Sequence, residues 1–183
     1  MEKTELKKPR VAVACGGTRK EAVGNALNLV RDDILTKVRG LVLVKPNFLS
    51  SVTKLASTQA GAVRPVLELL RESKAERIII GEGGSRSTSQ AMEGEGPGGG
   101  SPVDMKLAVA GTDPVACDAV MASMMGFEPM SVGYLALAHE RCLGVADLNL
   151  MEIVGENPDH HRRHFKPHSN YPYQQRWREA WNK

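Results

Sequence analysis

The run Leu41-Val42-Leu43-Val44-Lys45-Pro46-Asn47 decides how this chain folds. Four apolar residues without alternation stop at a polar junction marked by proline. Two later apolar runs also stop at a polar junction, marked by glycine or by glycine and proline. Ile78-Ile79-Ile80 enters Gly81-Glu82-Gly83-Gly84-Ser85, and Leu107-Ala108-Val109-Ala110 enters Gly111-Thr112-Asp113-Pro114. Short, continuously apolar runs fit strands covered on both faces, the habit of parallel sheets. As adjacent, largely parallel strands they put Lys45, Glu82 and Asp113 at one edge, where open α/β folds bind ligands.

Working outward, Arg10 to Ala14 reads as a first strand and Cys15-Gly16-Gly17 as the turn after it. Thr18 and Glu21 have capping-box spacing, so a helix is predicted from Arg19 toward Thr36, with Val23, Ala26, Leu27, Val30 and Ile34 on its apolar face. Phe48 to Ala56 reads as a loop, and Ser57-Thr58 as the N-cap of a helix through about Glu72, followed by a strand from Arg77 to Ile80. This alternation is the βαβ pattern with right-handed crossovers. The fold class is therefore α/β: a three-layer, mostly parallel Rossmann-like sheet over residues 1–156, with a C-terminal extension over 157–183.

The stretch from Gly83 to Pro102 breaks the rhythm with Gly, Ser and Pro and few apolar residues. It reads as a long loop, mobile without ligand, in which Glu93 and Glu95 become ordered when a metal or anion binds. Beyond it come a strand from Met105 to Ala110, helices from Pro114 to about Met125 and from Ser131 to Arg141, and a last strand near Leu148 to Val154.

At 183 residues the chain suits one core plus an appendage. No apolar stretch approaches membrane-spanning length, and the charged start Met1-Glu2-Lys3-Thr4-Glu5 is unlike a signal peptide, so the expected setting is cytoplasmic, with no membrane partner. Cys15, Cys117 and Cys142 form no Cys-x-x-Cys pair, so an iron–sulfur motif is missing and reduced thiols are expected. The net charge of +3 is uneven: from Asn157 onward six basic residues face two acidic ones, a balance of +4 that leaves −1 for the body.

The residues with chemistry to offer gather at the strand ends. Lys45 and Asn47 place an ammonium and an amide where a phosphate or carboxylate can be held, and Ser57-Thr58 adds a helix start with free N–H groups. Glu82 joins them at the next strand end. Asp113 suits an N-cap, with Pro114 at the first helical position. The helix it opens is apolar on nearly all sides, so its single charge, Asp118, is expected to be buried with a cation, a metal or a hydrogen-bonding partner. Glu93, Glu95, Asp113 and Asp118 are the candidate metal ligands, an oxygen-rich set of the kind magnesium or calcium prefers. Cys15-Gly16-Gly17-Thr18 is a glycine turn able to approach a phosphate, without the full fingerprint of a dinucleotide or P-loop site. A Ser85–His139 hydrolytic reading is weaker, because Ser85 lacks a nucleophile-elbow context.

The tail holds four of the five histidines and five of the eight aromatic residues. His160, His161, Arg162, Arg163, His164, Lys166 and His168 suit phosphate contacts, and Tyr171, Tyr173 and Trp177 suit base stacking. Docking of Trp177 and Trp181 on the body or on a second subunit of a homo-oligomer is the favoured reading, since +4 is modest for nucleic-acid binding.

Taken in order, Val44-Lys45-Pro46-Asn47-Phe48, Ala56-Ser57-Thr58, Ile78-Ile79-Ile80-Gly81-Glu82-Gly83, Met92-Glu93-Gly94-Glu95-Gly96-Pro97, Ala110-Gly111-Thr112-Asp113-Pro114-Val115-Ala116-Cys117-Asp118-Ala119-Val120 and Met125-Gly126-Phe127 resemble the family called domain of unknown function 362, from about Arg10 to Glu156. Some members of that family carry a ferredoxin-like cluster domain, whose cysteines this chain lacks. Members also have a sizeable segment, with a Lys-Thr-His-like motif, where only Gly84 to Met92 stands here, so the chain resembles a shortened member. Two functions follow as expectations. One is an enzyme or former enzyme for a small anionic substrate held by Lys45, with a divalent metal such as magnesium held by carboxylates. The other is a non-catalytic binding or assembly module acting through the basic, aromatic tail.

Overall fold

The computed structural model describes residues 8–47, 57–81, 92–95 and 99–181. Along them run β1 (Arg10–Cys15), α1 (Arg19–Leu29), α2 (Arg31–Leu35), β2 (Arg39–Val44), α3 (Ala60–Leu70), β3 (Lys74–Ile80), β4 (Met92–Glu95), β5 (Gly99–Pro102), β6 (Leu107–Gly111), α4 (Pro114–Met124), α5 (Gly133–Glu140), β7 (Glu152–Gly155), α6 (Tyr171–Gln174) and α7 (Trp177–Trp181). The class is α/β, with a mixed three-stranded sheet and two parallel strand pairs.

β1 is the central strand of the order β6-β1-β7. Its sequence alternates Val and Ala, and the register extends that alternation across the sheet: Val13 faces Val109, Ala12 faces Ala110, and Val11 faces Ile153. The larger side chains, Val11 and Val13, pack on Ala116, Ala119, Val120, Met124 and Leu135 of α4 and α5. On the other face, Ala12 and Ala14 meet Ala26 and Val30, and these small residues let α1 lie close to the sheet. The capping box opens α1 as its spacing predicts, Glu21 N–H donating to Thr18 Oγ1 at 3.2 Å and Thr18 N–H to Glu21 Oε2 at 3.1 Å. The helix breaks at buried Val30, so the single helix expected to reach Thr36 is two.

Two expectations about the sheet are corrected. β6 runs antiparallel to β1, and β2 and β3 form a separate parallel pair. The apolar runs are real strands, but a parallel neighbour requires a crossover of a dozen or more residues, usually helical. Between β3 and β6 no helix lies among the described residues; an antiparallel hairpin, β4 with β5, stands there instead. The same hairpin replaces part of the loop predicted over Gly83 to Pro102. Backbone pairing needs no apolar side chain, and the tail supplies the rest: Gly94 N–H donates to Lys166 O at 2.7 Å, and Lys166 N–H to Glu93 Oε2 at 3.0 Å. In β2 only alternate residues are covered, which leaves Leu41 66% and Leu43 62% exposed.

Asp118 is also corrected. It is exposed, and Tyr134 Oη donates to its Oδ2 at 3.3 Å. The helix is buried along Ala116, Ala119, Val120, Ser123 and Met124, which leaves Asp118 on the open side. α3 starts later than predicted, capped by Gln59 without a side-chain bond.

The tail packs on the body. Arg163 N–H donates to Met124 O at 2.8 Å and Phe165 N–H to Met125 O at 3.0 Å, so the end of α4 is bonded by the returning chain. Phe165 is only 6% exposed, Phe127 and Tyr171 lie ring to ring at 5.4 Å, and Trp177 Nε1–H donates to Ser131 O at 3.1 Å. The docking expected of Trp181 lies outside the described side chains. Replacing a buried phenylalanine by alanine costs about 3–5 kcal/mol. Phe165→Ala is therefore expected to lower stability by that amount in urea unfolding, and a loss below about 1 kcal/mol would mean that the tail is not integral.

Candidate functional site

The direction of β6 separates the residues predicted to share one edge. Asp113 follows the end of β6 that pairs with the beginning of β1, Val11 facing Gly111. Lys37, just ahead of β2, donates to Thr112 Oγ1 at 3.0 Å, so the Asp113 turn lies by the amino end of β2. Lys45 and Asn47 follow its carboxyl end. There a small constellation does form: Lys45 Nζ donates to Asn47 Oδ1 at 3.1 Å, Asn47 N–H to Thr58 Oγ1 at 2.9 Å, and Thr58 N–H to Asn47 O at 2.7 Å. Ser57 adjoins it in sequence. Glu82 lies outside the described residues.

The four candidate metal carboxylates do not converge. Asp113 Oδ1 accepts from Val115 and Ala116 N–H at 2.9 and 3.1 Å, and its Oδ2 from Val145 N–H at 3.0 Å. It is a helix cap that also ties down the chain after α5. Glu93 is taken by Lys166 N–H. Glu95 accepts from the Ser169 N–H at 2.8 Å and its hydroxyl at 3.0 Å, with His168 Nε2 at 3.1 Å. The Ser169 backbone bond is the main reason that the Glu95 carboxyl titrates below its ordinary range. These glutamates hold the tail.

A different set meets at the other end of the mixed sheet. β1 and β7 are parallel, with Val13 facing Gly155, so Cys15 and Glu156 leave the same edge. Gly16 turns the chain sharply there; a Cβ on it would stand 2.3 Å from Ala22 N. Asn25 Nδ2 donates to Cys15 O at 2.9 Å and holds the turn. Gly155 has φ +90°, and a Cβ on it would stand 2.3 Å from Val13 O, so only glycine delivers Glu156 to this edge. Glu156 N–H donates to Val13 O at 2.8 Å.

The tail then bends over the edge in a 3-10 turn, Pro158–His161, opened by Asn157, whose Oδ1 accepts from Asp159 N–H at 3.0 Å. His161 Nε2 comes to 3.7 Å from Cys15 Sγ and 3.3 Å from Glu156 Oε2. Burial and, next, the Glu156 carboxylate push the Cys15 thiol up from its ordinary value. Beside this triplet lies a cavity of about 310 Å³ lined by Met105, His160, His161, Arg162 and Arg163. Neither arginine has an ion pair among the described residues. A larger cavity, about 800 Å³, adjoins through Arg163, with Lys106, His164, Glu93 and Asp104 on its walls.

Sequence reasoning missed this arrangement because its members lie far apart along the chain. The available signals were a cysteine at a strand end followed by two glycines, and the histidine-rich run of the tail.

The two aspartates of α4 are distinguishable by stability. Losing an N-cap costs about 0.5–2 kcal/mol, whereas exposed substitutions fall within about 0.5 kcal/mol. Asp113→Ala is expected at about 2 kcal/mol or slightly above, since Val145 N–H also loses its acceptor, and Asp118→Ala near zero. Equal losses in urea unfolding would contradict these roles.

No curated protein and no solved structure matches the chain. The family described as domain of unknown function (DUF362) matches residues 87–123. This stretch includes the Met92–Pro97 and Ala110–Val120 motifs, but neither Lys45-Pro46-Asn47 nor the Cys15, Glu156 and His161 group. The match over 87–123 supports the place of this chain in the DUF362 family.

Proposed function

We propose that this protein binds a small anionic molecule, of the phosphate or carboxylate class, at the carboxyl edge of the β1–β7 pair. The observation that carries the reading is the cavity lined by Arg162, Arg163, His160 and His161, in which neither guanidinium is neutralised by a carboxylate among the described residues. Arginine forks suit planar or tetrahedral oxyanions, and imidazoles add donors when protonated. The reading treats the helix–sheet–helix core as a reduced Rossmann-like unit, whose strand ends are a natural ligand edge. The Lys45, Asn47 and Thr58 constellation at the end of β2 is a further polar group on the same molecule.

A second reading, assembly, is favoured by the uncovered face of the β2–β3 pair, where Leu41, Leu43 and Ile79 are exposed. The tail itself is engaged with the body, which moves the assembly reading from the tail to this face.

Titration calorimetry with inorganic phosphate, pyrophosphate and small dicarboxylates tests the first reading. A lost charge-assisted hydrogen bond is worth about 1.5–3 kcal/mol, so Arg162→Ala and Arg163→Ala should each weaken binding roughly 10- to 100-fold. Anion affinity unchanged in the double variant would contradict it.

A further inference from the structure

We propose that Cys15, Glu156 and His161 form a binding site for a borderline-soft divalent cation of the zinc class. Their ligand atoms all lie within 4.8 Å of one another. Sγ to Nε2 is 3.7 Å, and Nε2 to Oε2 is 3.3 Å. Zinc bonds of about 2.3 Å to sulfur and about 2.0–2.1 Å to nitrogen or oxygen, at tetrahedral angles, put sulfur about 3.6 Å from nitrogen and nitrogen about 3.4 Å from oxygen. The two spacings are therefore those of a tetrahedral zinc site.

Hydrogen bonding alone serves the triplet poorly. One ring nitrogen, His161 Nε2, faces both the sulfur and the carboxylate. If it carries the proton, it has a single N–H for two acceptors; if it carries the lone pair, it accepts from the thiol while facing the carboxylate oxygen. A cation at the centre takes an electron pair from all three. Sulfur and imidazole select zinc-class ions over magnesium and calcium, which prefer oxygen alone.

The scaffold holds each ligand through the backbone. Cys15 ends β1, Glu156 directly follows β7, the parallel neighbour of β1, and His161 closes a capped 3-10 turn. A site on such elements keeps its geometry better than one on free loops. Three protein ligands leave a fourth tetrahedral position open to water or to an outside ligand. The cavity beside His161 gives that ligand room. The inference rests on ligand spacing and not on the anion reading.

Cobalt(II) titration of the full, reduced chain in phosphate-free buffer tests it. The expected result is one cobalt per chain, with thiolate-to-cobalt charge-transfer absorption in the near ultraviolet that zinc displaces and magnesium does not. Cys15→Ser should abolish the absorption and Cys142→Ser, at an exposed thiol, should keep it. His161→Gln and Glu156→Gln should weaken cobalt binding about tenfold or more. Should Cys15→Ser no longer melt cooperatively, His161→Gln, outside the sheet, provides the comparison. Absence of stoichiometric cobalt, absorption that survives Cys15→Ser, or unchanged affinity in His161→Gln would overturn the site.

Discussion

The parallel pairing of β1 with β7 is the constraint on which the rest of the structure depends. It joins the start of the chain to a segment near its end, with Arg10 facing Glu152 and Val13 facing Gly155. A long loop closure costs entropy, and the pair recovers it by placing Val11, Val13 and Ile153 over the same helices. The pairing also fixes where the tail leaves the sheet. Because β7 points the same way as β1, residues after Gly155 emerge beside Cys15, and the chain must cross the carboxyl edge before it can dock.

Docking then ties three separate parts of the chain together. The tail bonds Met124 and Met125 at the end of α4, which otherwise leaves carbonyls without partners. It bonds the β4–β5 hairpin through Glu93, Gly94 and Glu95. It covers Ser131 with the indole of Trp177, over which Arg178 lies at 4.4 Å while pairing with Glu140. A glycine-rich hairpin with little apolar area of its own is thereby held by backbone bonds and carboxylates. The glutamates that look like hard-cation ligands in sequence serve this purpose in the fold.

What was legible in the sequence were features whose cause is local. The capping box of Thr18 and Glu21 and the Asp113-Pro114 helix start depend on neighbours within a turn, and both stand as read. Strand direction is not local: Leu107-Ala108-Val109-Ala110 is equally apolar in either direction, and its direction is set by its pairing with β1, far away in sequence. Asp118 failed for a related reason. Composition made α4 seem apolar all round, yet the helix has one uncovered side, and which side is set by the sheet. Cys15, Glu156 and His161 come together only through the β1–β7 register and the turn after it, so no spacing rule could join them. The DUF362 match, at residues 87–123, reaches none of the three.

The central claim is that the tail completes a site at the edge of the sheet: the strand pair supplies sulfur and carboxylate, and the returning chain supplies the imidazole. X-ray absorption at the zinc edge of the zinc-loaded full chain measures this directly. The account predicts one sulfur at about 2.3 Å together with nitrogen or oxygen at about 2.0–2.1 Å, the nitrogen being an imidazole whose outer-ring scattering disappears in His161→Gln. A shell of oxygen and nitrogen alone, or an imidazole signal indifferent to His161, would contradict it.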